Sequence, residues 1–140
     1  IRDRPGMSNL AYEGFKTFIQ YEGDQRVGNC AACHTLPDFT DGRSYSVQPG
    51  MAKVPTTSLR NLHKSSQALR EIINQKIKYA QSKQNGNAQK ISDAYSTIRL
   101  HQKDISALVA FIELLQDVSK QQFRQLILDA DLFDPSGVTK

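Results

Sequence analysis

The sequence has few of the features that would fix a small protein covalently or hold it in a membrane. It contains two cysteines in 140 residues, and they are only three residues apart, so a disulfide between them would be strained and would close almost no loop. No apolar run approaches the roughly 20 residues of a membrane-spanning helix, which predicts a chain without a membrane span. The polar stretch from Ile1 to Gly6 does not resemble a signal peptide and indicates a mature or trimmed start.

Both cysteines lie in one pentapeptide, Cys30-Ala31-Ala32-Cys33-His34. This spacing is the attachment signature of a c-type haem. Each thiol can add to one haem vinyl group and form a thioether, and His34 then offers an imidazole nitrogen to the iron as proximal ligand. The motif therefore predicts one covalently attached haem c, held by Cys30, Cys33 and His34.

Two other uses of the cysteine pair fit the sequence less well. A redox-active dithiol normally lies where a strand leads into a helix, and no strand-rich run precedes the motif at Val27-Gly28-Asn29. A structural zinc site needs two further ligands at close spacing, whereas the other two histidines, His63 and His101, are far apart. Haem attachment is the better interpretation.

Apolar residues recur at helical spacing in four segments, which predicts an all-α protein. The first helix ends near Gly23, the second is capped by Ser65 or Ser66, and the third begins near Gln102. Residues 36–61 are rich in Pro, Gly, Ser, Thr and Asp, which is typical of a long loop around a cofactor. We expect a single domain over residues 1–140, with its core at about 11–118 and a C-terminal extension at 119–140. The predicted apolar stripes are Ala11, Phe15, Phe18 and Ile19; Leu69, Ile72, Ile73, Ile77 and Ala80; Ile105, Leu108, Val109, Ile112 and Leu115; and Phe123, Leu126, Ile127 and Ala130.

The net charge of +4 is concentrated in the middle of the chain, where residues 53–103 carry ten basic side chains against two acidic ones. No aromatic or recognition-helix pattern accompanies these charges, so nucleic acid binding is not expected. The cations of the second helix either face an acidic redox partner and steer its approach, or form an ordinary solvated face. These cations are Arg70, Lys76, Lys78 and Lys83.

Five segments of the chain resemble one protein family. They are Gly14-Phe15-Lys16-Thr17-Phe18, the haem motif with Thr35, Phe39-Thr40-Asp41-Gly42-Arg43, Thr57-Ser58-Leu59-Arg60-Asn61-Leu62, and residues 104–112. In this order they are similar to the C-terminal haem domain of bacterial di-haem cytochrome c peroxidases and of their relatives that mature methylamine dehydrogenase. The resemblance covers about residues 11–118, and only the haem motif is strongly specific by itself. It implies a cytochrome c-like helical domain wrapped around one haem, with Arg60 either meeting a haem propionate or remaining a surface cation.

The chain also departs from that family. The peroxidases use two haems, whereas this sequence has one attachment motif and cannot run their mechanism alone. A Tyr-Met/Phe-His element that follows the Leu-Arg-Asn motif in the family is missing between Leu62 and Ser65. The resemblance therefore implies a single-haem unit.

The sequence leaves the sixth iron ligand open. Small electron-carrying cytochromes usually supply a Met shortly before the C-terminal helix, but residues 87–100 contain none. Met51 lies 17 residues after His34, enough chain to pass the haem edge. His63 is the rival, Tyr79 is a remoter candidate, and an open or water-bound iron is the remaining alternative.

Two functions follow from these observations. The first is electron transfer through the single haem c, with a redox protein as partner and no enzymatic activity of its own. The alternative is a peroxidase-like or small-gas-binding haem subunit that acts with a partner haem protein. Because haem is attached to such motifs outside the cytoplasm, we expect a periplasmic or exported protein.

Overall fold

In the described part of the computed structural model, the fold consists of four α-helices and a few short segments. The structure describes residues 6–23, 26–36, 38–45, 53–62, 64–84 and 97–133. The helices are α1 (Asn9–Ile19), α2 (Ser66–Gln84), α3 (Gln102–Asp117) and α4 (Lys120–Phe133). Single 3-10 turns form at Cys30–Ala32 and Leu59–Asn61, and two-residue strands β1 (Ser44–Tyr45) and β2 (Val54–Pro55) pair antiparallel. The all-α prediction is confirmed, and this two-residue ladder is a small addition to it.

Helices α1 and α3 form the centre of the fold and touch at a glycine. The Ser8 side chain accepts a hydrogen bond from Ala11 N at 3.1 Å and so caps the start of α1. A Cβ atom on Gly14 would lie 1.9 Å from the carbonyl oxygen of Ala107 and 2.9 Å from Cβ of Phe111. Only a residue without a side chain lets the two backbones approach this closely.

An aromatic cluster fills the space beside this helix crossing. It contains five of the six phenylalanines, with ring centroids 5.3 to 6.0 Å apart in tilted or edge-to-face pairs, which is the arrangement that the ring quadrupoles favour. One ring, Phe123, comes from α4, so the C-terminal helix packs on the same core as the rest. The members are Phe15, Phe18, Phe39, Phe111 and Phe123.

Helix α2 lies against α3, and Leu69 and Ile73 of its predicted apolar stripe are buried in the core. Ser65 is the capping residue, because its hydroxyl accepts a hydrogen bond from Ala68 N at 3.1 Å. Arg70 donates to the Ser106 hydroxyl of α3 at 2.9 Å and ties the two helices together on the polar side of their contact. No helix among the described residues is long and apolar enough to cross a membrane.

The segment before the motif is fixed by an ion-pair network. Arg26 lies 2.5 Å from the Glu13 carboxylate of α1 and 3.4 Å from that of Asp104 on α3. Asp104, only 2% exposed, also accepts a hydrogen bond from His101 N at 2.8 Å and thereby caps α3. A backbone bridge between Val27 and Arg99 closes the same region. These bonds hold the chain as it enters the motif.

Candidate haem site

The motif forms a single tight turn against α1. Asn29 starts it with left-handed backbone angles (φ 50°, ψ 32°), a conformation that asparagine tolerates better than most residues. The amides of Cys33 and His34 then donate to the Cys30 carbonyl at 3.3 and 2.9 Å. As a result, the two thiols and the imidazole are presented by one short, hydrogen-bonded segment.

Gly28 lets this turn lie close to α1. Its amide donates to the Thr17 carbonyl at 3.1 Å, and a Cβ atom in its place would be 2.8 Å from that oxygen and 3.3 Å from Sγ of Cys30. A larger residue would push the motif away from the helix. The sequence alone gives no reason for a glycine at position 28, whereas the structure shows that it allows the close approach of the motif to α1.

The ring of His34 is oriented by the loop that follows it. Nδ1 lies 2.9 Å from the carbonyl oxygen of Phe39 and donates to it, which leaves the Nε2 lone pair as the one that a metal can use. Burial lowers the pKa of His34 below its ordinary value of 6.5 and the charge of Lys76 lowers it further, while backbone hydrogen bonds to Phe39 and Thr57 act in the opposite direction. The net lowering of the pKa favours the neutral imidazole, which is the form that binds iron.

Phe39, whose carbonyl accepts the hydrogen bond from His34, has an unusual backbone conformation. Its φ is 59°, in the left-handed region that costs a non-glycine residue about 1–2 kcal/mol, and its side chain is 0% exposed. The ring packs edge-on against Phe18, Phe111 and Phe123, so the aromatic cluster stabilises the strained residue. Its carbonyl oxygen is thereby held at His34, an arrangement that the sequence does not reveal.

The two cysteines form no disulfide, and Cys30 packs against the core. Burial raises the pKa of the Cys30 thiol to about 12, although the charge of Lys76 pulls it the other way. Among the described residues no group of three or more His, Cys, Asp or Glu side chains converges on a common metal position, so the zinc interpretation gains no support there. Two thiols, one oriented neutral imidazole and a surrounding apolar core are the features that a covalently bound haem requires.

The cations predicted on α2 do not share one exposed face. Lys78 is exposed, but Arg70 is bonded to Ser106, and Lys76 is half-buried on the side of the helix that faces the core. The side chain of Lys83 lies outside the part of the chain that the structure describes. Of these four cations, Lys78 is therefore the one whose described side chain is exposed and could face an acidic partner.

Arg60 lies between the aromatic cluster and α4. Its Nη1 donates to the Val118 carbonyl at 3.0 Å, and its guanidinium carbon lies 5.4 Å from the ring centre of Phe39 and 6.0 Å from that of Phe123. These contacts join the turn at Leu59–Asn61 to the start of α4. Contact between Arg60 and a haem propionate stays a prediction.

The candidates for the sixth ligand are distributed unevenly over the structure. Met51 and His63 both lie outside the described residues. Tyr79 is half-buried on α2. The other methionine, Met7, is buried with Ala11 and Tyr12 at the start of α1 and packs as an ordinary core residue.

The sequence model of the cytochrome c family matches residues 13–116, which include the haem motif and the α1–α3 core. The chain belongs to the cytochrome c family. Comparison with curated proteins and with solved structures finds no significant match. Family membership implies a covalently bound haem c with iron, electron transfer and a redox protein partner, and domains of this family are typically exported or periplasmic.

Proposed function

We propose that this cytochrome is a monohaem electron carrier. In this proposal Cys30 and Cys33 hold the haem through thioethers, and His34 is the proximal ligand of its iron. The haem, when bound, supplies a centre that accepts and releases one electron. The chain contributes the attachment, the orientation of the axial imidazole and the low-polarity surroundings that set the reduction potential.

One observation carries this proposal above the others. His34 Nδ1 is engaged by the Phe39 carbonyl at 2.9 Å, and the burial of the ring favours its neutral form. A histidine that served only as a polar surface residue would not need a strained, fully buried neighbour to fix its ring. A proximal ligand benefits from a fixed ring, because the hydrogen bond at its second nitrogen sets the tautomer of the imidazole and the basicity of the nitrogen that binds the iron.

The test is covalent haem retention in the protein expressed with its maturation system. We expect the haem to remain with the polypeptide through acid-acetone extraction and denaturing electrophoresis. Cys30→Ala and Cys33→Ala should each weaken retention, because each removes one thioether. His34→Ala should disturb the axial coordination spectrum, whereas His101→Ala is the matched control, since His101 is exposed at the start of α3. Haem released from the unmodified protein would disprove the proposal.

The same spectra decide between the carrier and the alternative function. A low-spin, six-coordinate iron supports the carrier, with Met51 or His63 as the proposed sixth ligand. Met51→Ala should abolish a weak far-red sulfur-to-iron band in the first case, and His63→Ala should convert a low-spin spectrum to a high-spin one in the second. A high-spin iron that binds carbon monoxide in the unmodified protein would instead favour a peroxidase-like or gas-binding subunit.

We further propose that the carrier works outside the cytoplasm with an acidic partner protein. Lys78 on α2 is exposed and available for such an encounter. Attraction between exposed charges extends over about 8 Å at physiological ionic strength, so electron exchange with an acidic redox protein should slow as salt rises. Rates that do not depend on salt would mean that the partner docks without charge steering.

A further inference from the structure

Lys76 occupies an apolar position on α2. It follows Leu69 by seven residues and Ile73 by three, and it precedes Ala80 by four, so the helical repeat puts all four residues on one face. The other three are buried, at 4%, 9% and 1% exposure. Lys78, only two residues further on, points to solvent. The side chain of Lys76 therefore leaves the helix in the direction of the core.

The charged end of Lys76 lies near the haem motif. Leu69 and Ile73 of this helix face belong to the core cluster against which Cys30 and Ala31 of the motif also pack. The charge of Lys76 acts on both motif thiols and on the His34 ring from this position. Desolvation lowers the pKa of Lys76, and the two thiols act in the opposite direction. A partly buried cation is less screened by water and salt than an exposed one, so the charge of Lys76 acts more strongly on nearby groups than that of Lys78 does.

We propose that Lys76 is a fixed positive charge beside the haem that raises its reduction potential. The inference rests on the proposed function, since it requires haem at Cys30, Cys33 and His34. One-electron reduction, with the electron supplied by the redox partner or by a chemical mediator, removes one positive charge from the iron. A neighbouring cation repels the oxidised iron more strongly than the reduced one and so favours reduction.

The size of the effect follows from Coulomb's law. Two unit charges about 12 Å apart in a medium of effective dielectric constant about 20 change an equilibrium constant by about tenfold. For a one-electron couple, tenfold corresponds to about 59 mV. A surface charge of the same sign is screened by water and salt and shifts the couple much less.

The experiment measures midpoint potentials of the haem-loaded protein by spectroelectrochemical titration. Lys76→Met keeps the length and the apolar stem of the side chain and removes its charge, and Lys78→Met is the matched control on the exposed side of the same helix. We expect Lys76→Met to lower the reduction equilibrium constant about tenfold, or about 59 mV, with an unchanged coordination spectrum. Lys78→Met should leave the potential near that of the unmodified protein, and Lys76→Arg should largely preserve it.

Two results would overturn the inference. Equal potentials in Lys76→Met and Lys78→Met would show that the charge does not act on the iron. A change from low-spin to high-spin iron in Lys76→Met would show that the amine binds the iron directly. Lys76→Gln, which is polar and uncharged, serves as the second neutral variant if the methionine protein does not accumulate. Failure of the unmodified protein to retain haem would contradict the proposed function instead, so the two failures can be told apart.

Discussion

Replacement of Gly14 by alanine should separate the two central helices. The added Cβ would lie 1.9 Å from the carbonyl oxygen of Ala107, 2.5 Å from its carbonyl carbon and 2.9 Å from Cβ of Phe111. Distances under 3.0 Å essentially never occur for a real Cβ, so one backbone must move by about 1 Å. A gap of 0.5–1 Å forfeits roughly a quarter to a half of the dispersion energy of each contact that it opens, including those around Phe15.

Two opposing terms set the net change in the free energy of unfolding. Alanine is favoured over glycine within a helix by about 1 kcal/mol, whereas overpacking costs about 1–3 kcal/mol and sometimes more. Because the clash is with backbone, which cannot rotate away, we place Gly14→Ala at the upper end, about 2 kcal/mol less stable overall. For a chain of this size the melting temperature should fall by about 6–8 °C.

Guanidinium denaturation of the haem-loaded protein, followed by circular dichroism, measures this change. Asn74→Ala is the control, because Asn74 is exposed on α2 and its replacement gains helix propensity without a clash. Ala107→Gly should not rescue Gly14→Ala, since the clash involves the backbone of residue 107 rather than its methyl group. A Gly14→Ala protein as stable as the unmodified one would refute the close contact between α1 and α3.

Two further predictions concern charged side chains. Burial alone would raise the pKa of Glu13, but hydrogen bonds and charges from Lys16 and Arg26 outweigh burial and lower this pKa below 4.5. The ionised Glu13 carboxylate therefore stabilises the folded protein above about pH 4.5, and this stabilisation is lost as the pH falls through the pKa of Glu13 in the folded state. Glu13→Gln should therefore narrow the stability difference between neutral and acidic solution, as urea titrations at several pH values would measure, and an unchanged difference would contradict it. Arg60→Met should remove the hydrogen bond to Val118 and cost about 1.5–3 kcal/mol, with faster amide exchange at the start of α4 in hydrogen-exchange mass spectrometry. Arg124→Met, at an exposed position of α4, is its control, and equal exchange in the two variants would contradict the predicted role of Arg60.

The helices could be read from the sequence because their signals are local. The apolar repeat of α2 and the Ser65 cap lie within one helical segment, and both are confirmed. The end of α1 could not be placed the same way. The sequence predicts it near Gly23, but the helix ends at Ile19, where Gln20 turns to extended backbone and accepts a hydrogen bond from Asn29 N at 2.9 Å. Asn29, which starts the motif turn, thus forms a hydrogen bond with the end of α1. This contact joins two separate segments, so local sequence signals do not reveal it.

Residue types identified the haem motif, but not the groups that support it. The sequence places Phe39 in the long loop after the motif, and nothing local reveals its burial, its positive φ or the hydrogen bond that its carbonyl accepts from His34. Lys76 did carry a signal, because a lysine within an apolar stripe departs from the pattern of the helix. The charge distribution along the chain places Lys76 among the solvated cations of residues 53–103, whereas the helical repeat places it on the core-facing side of α2.

The C-terminal helix has a closer relation to the haem motif than its position in the chain indicates. α4 begins at Lys120, beyond the residues that match the cytochrome c family. Its Phe123 ring nevertheless lies 5.5 Å from that of Phe39, and Arg60 contacts both rings while it bonds the peptide before α4. Phe39 in turn fixes the orientation of His34. Since the strained backbone of Phe39 persists only while its ring stays packed, α4 helps to hold the imidazole in position, and the stability of this helix and the geometry of the proposed axial ligand are physically linked.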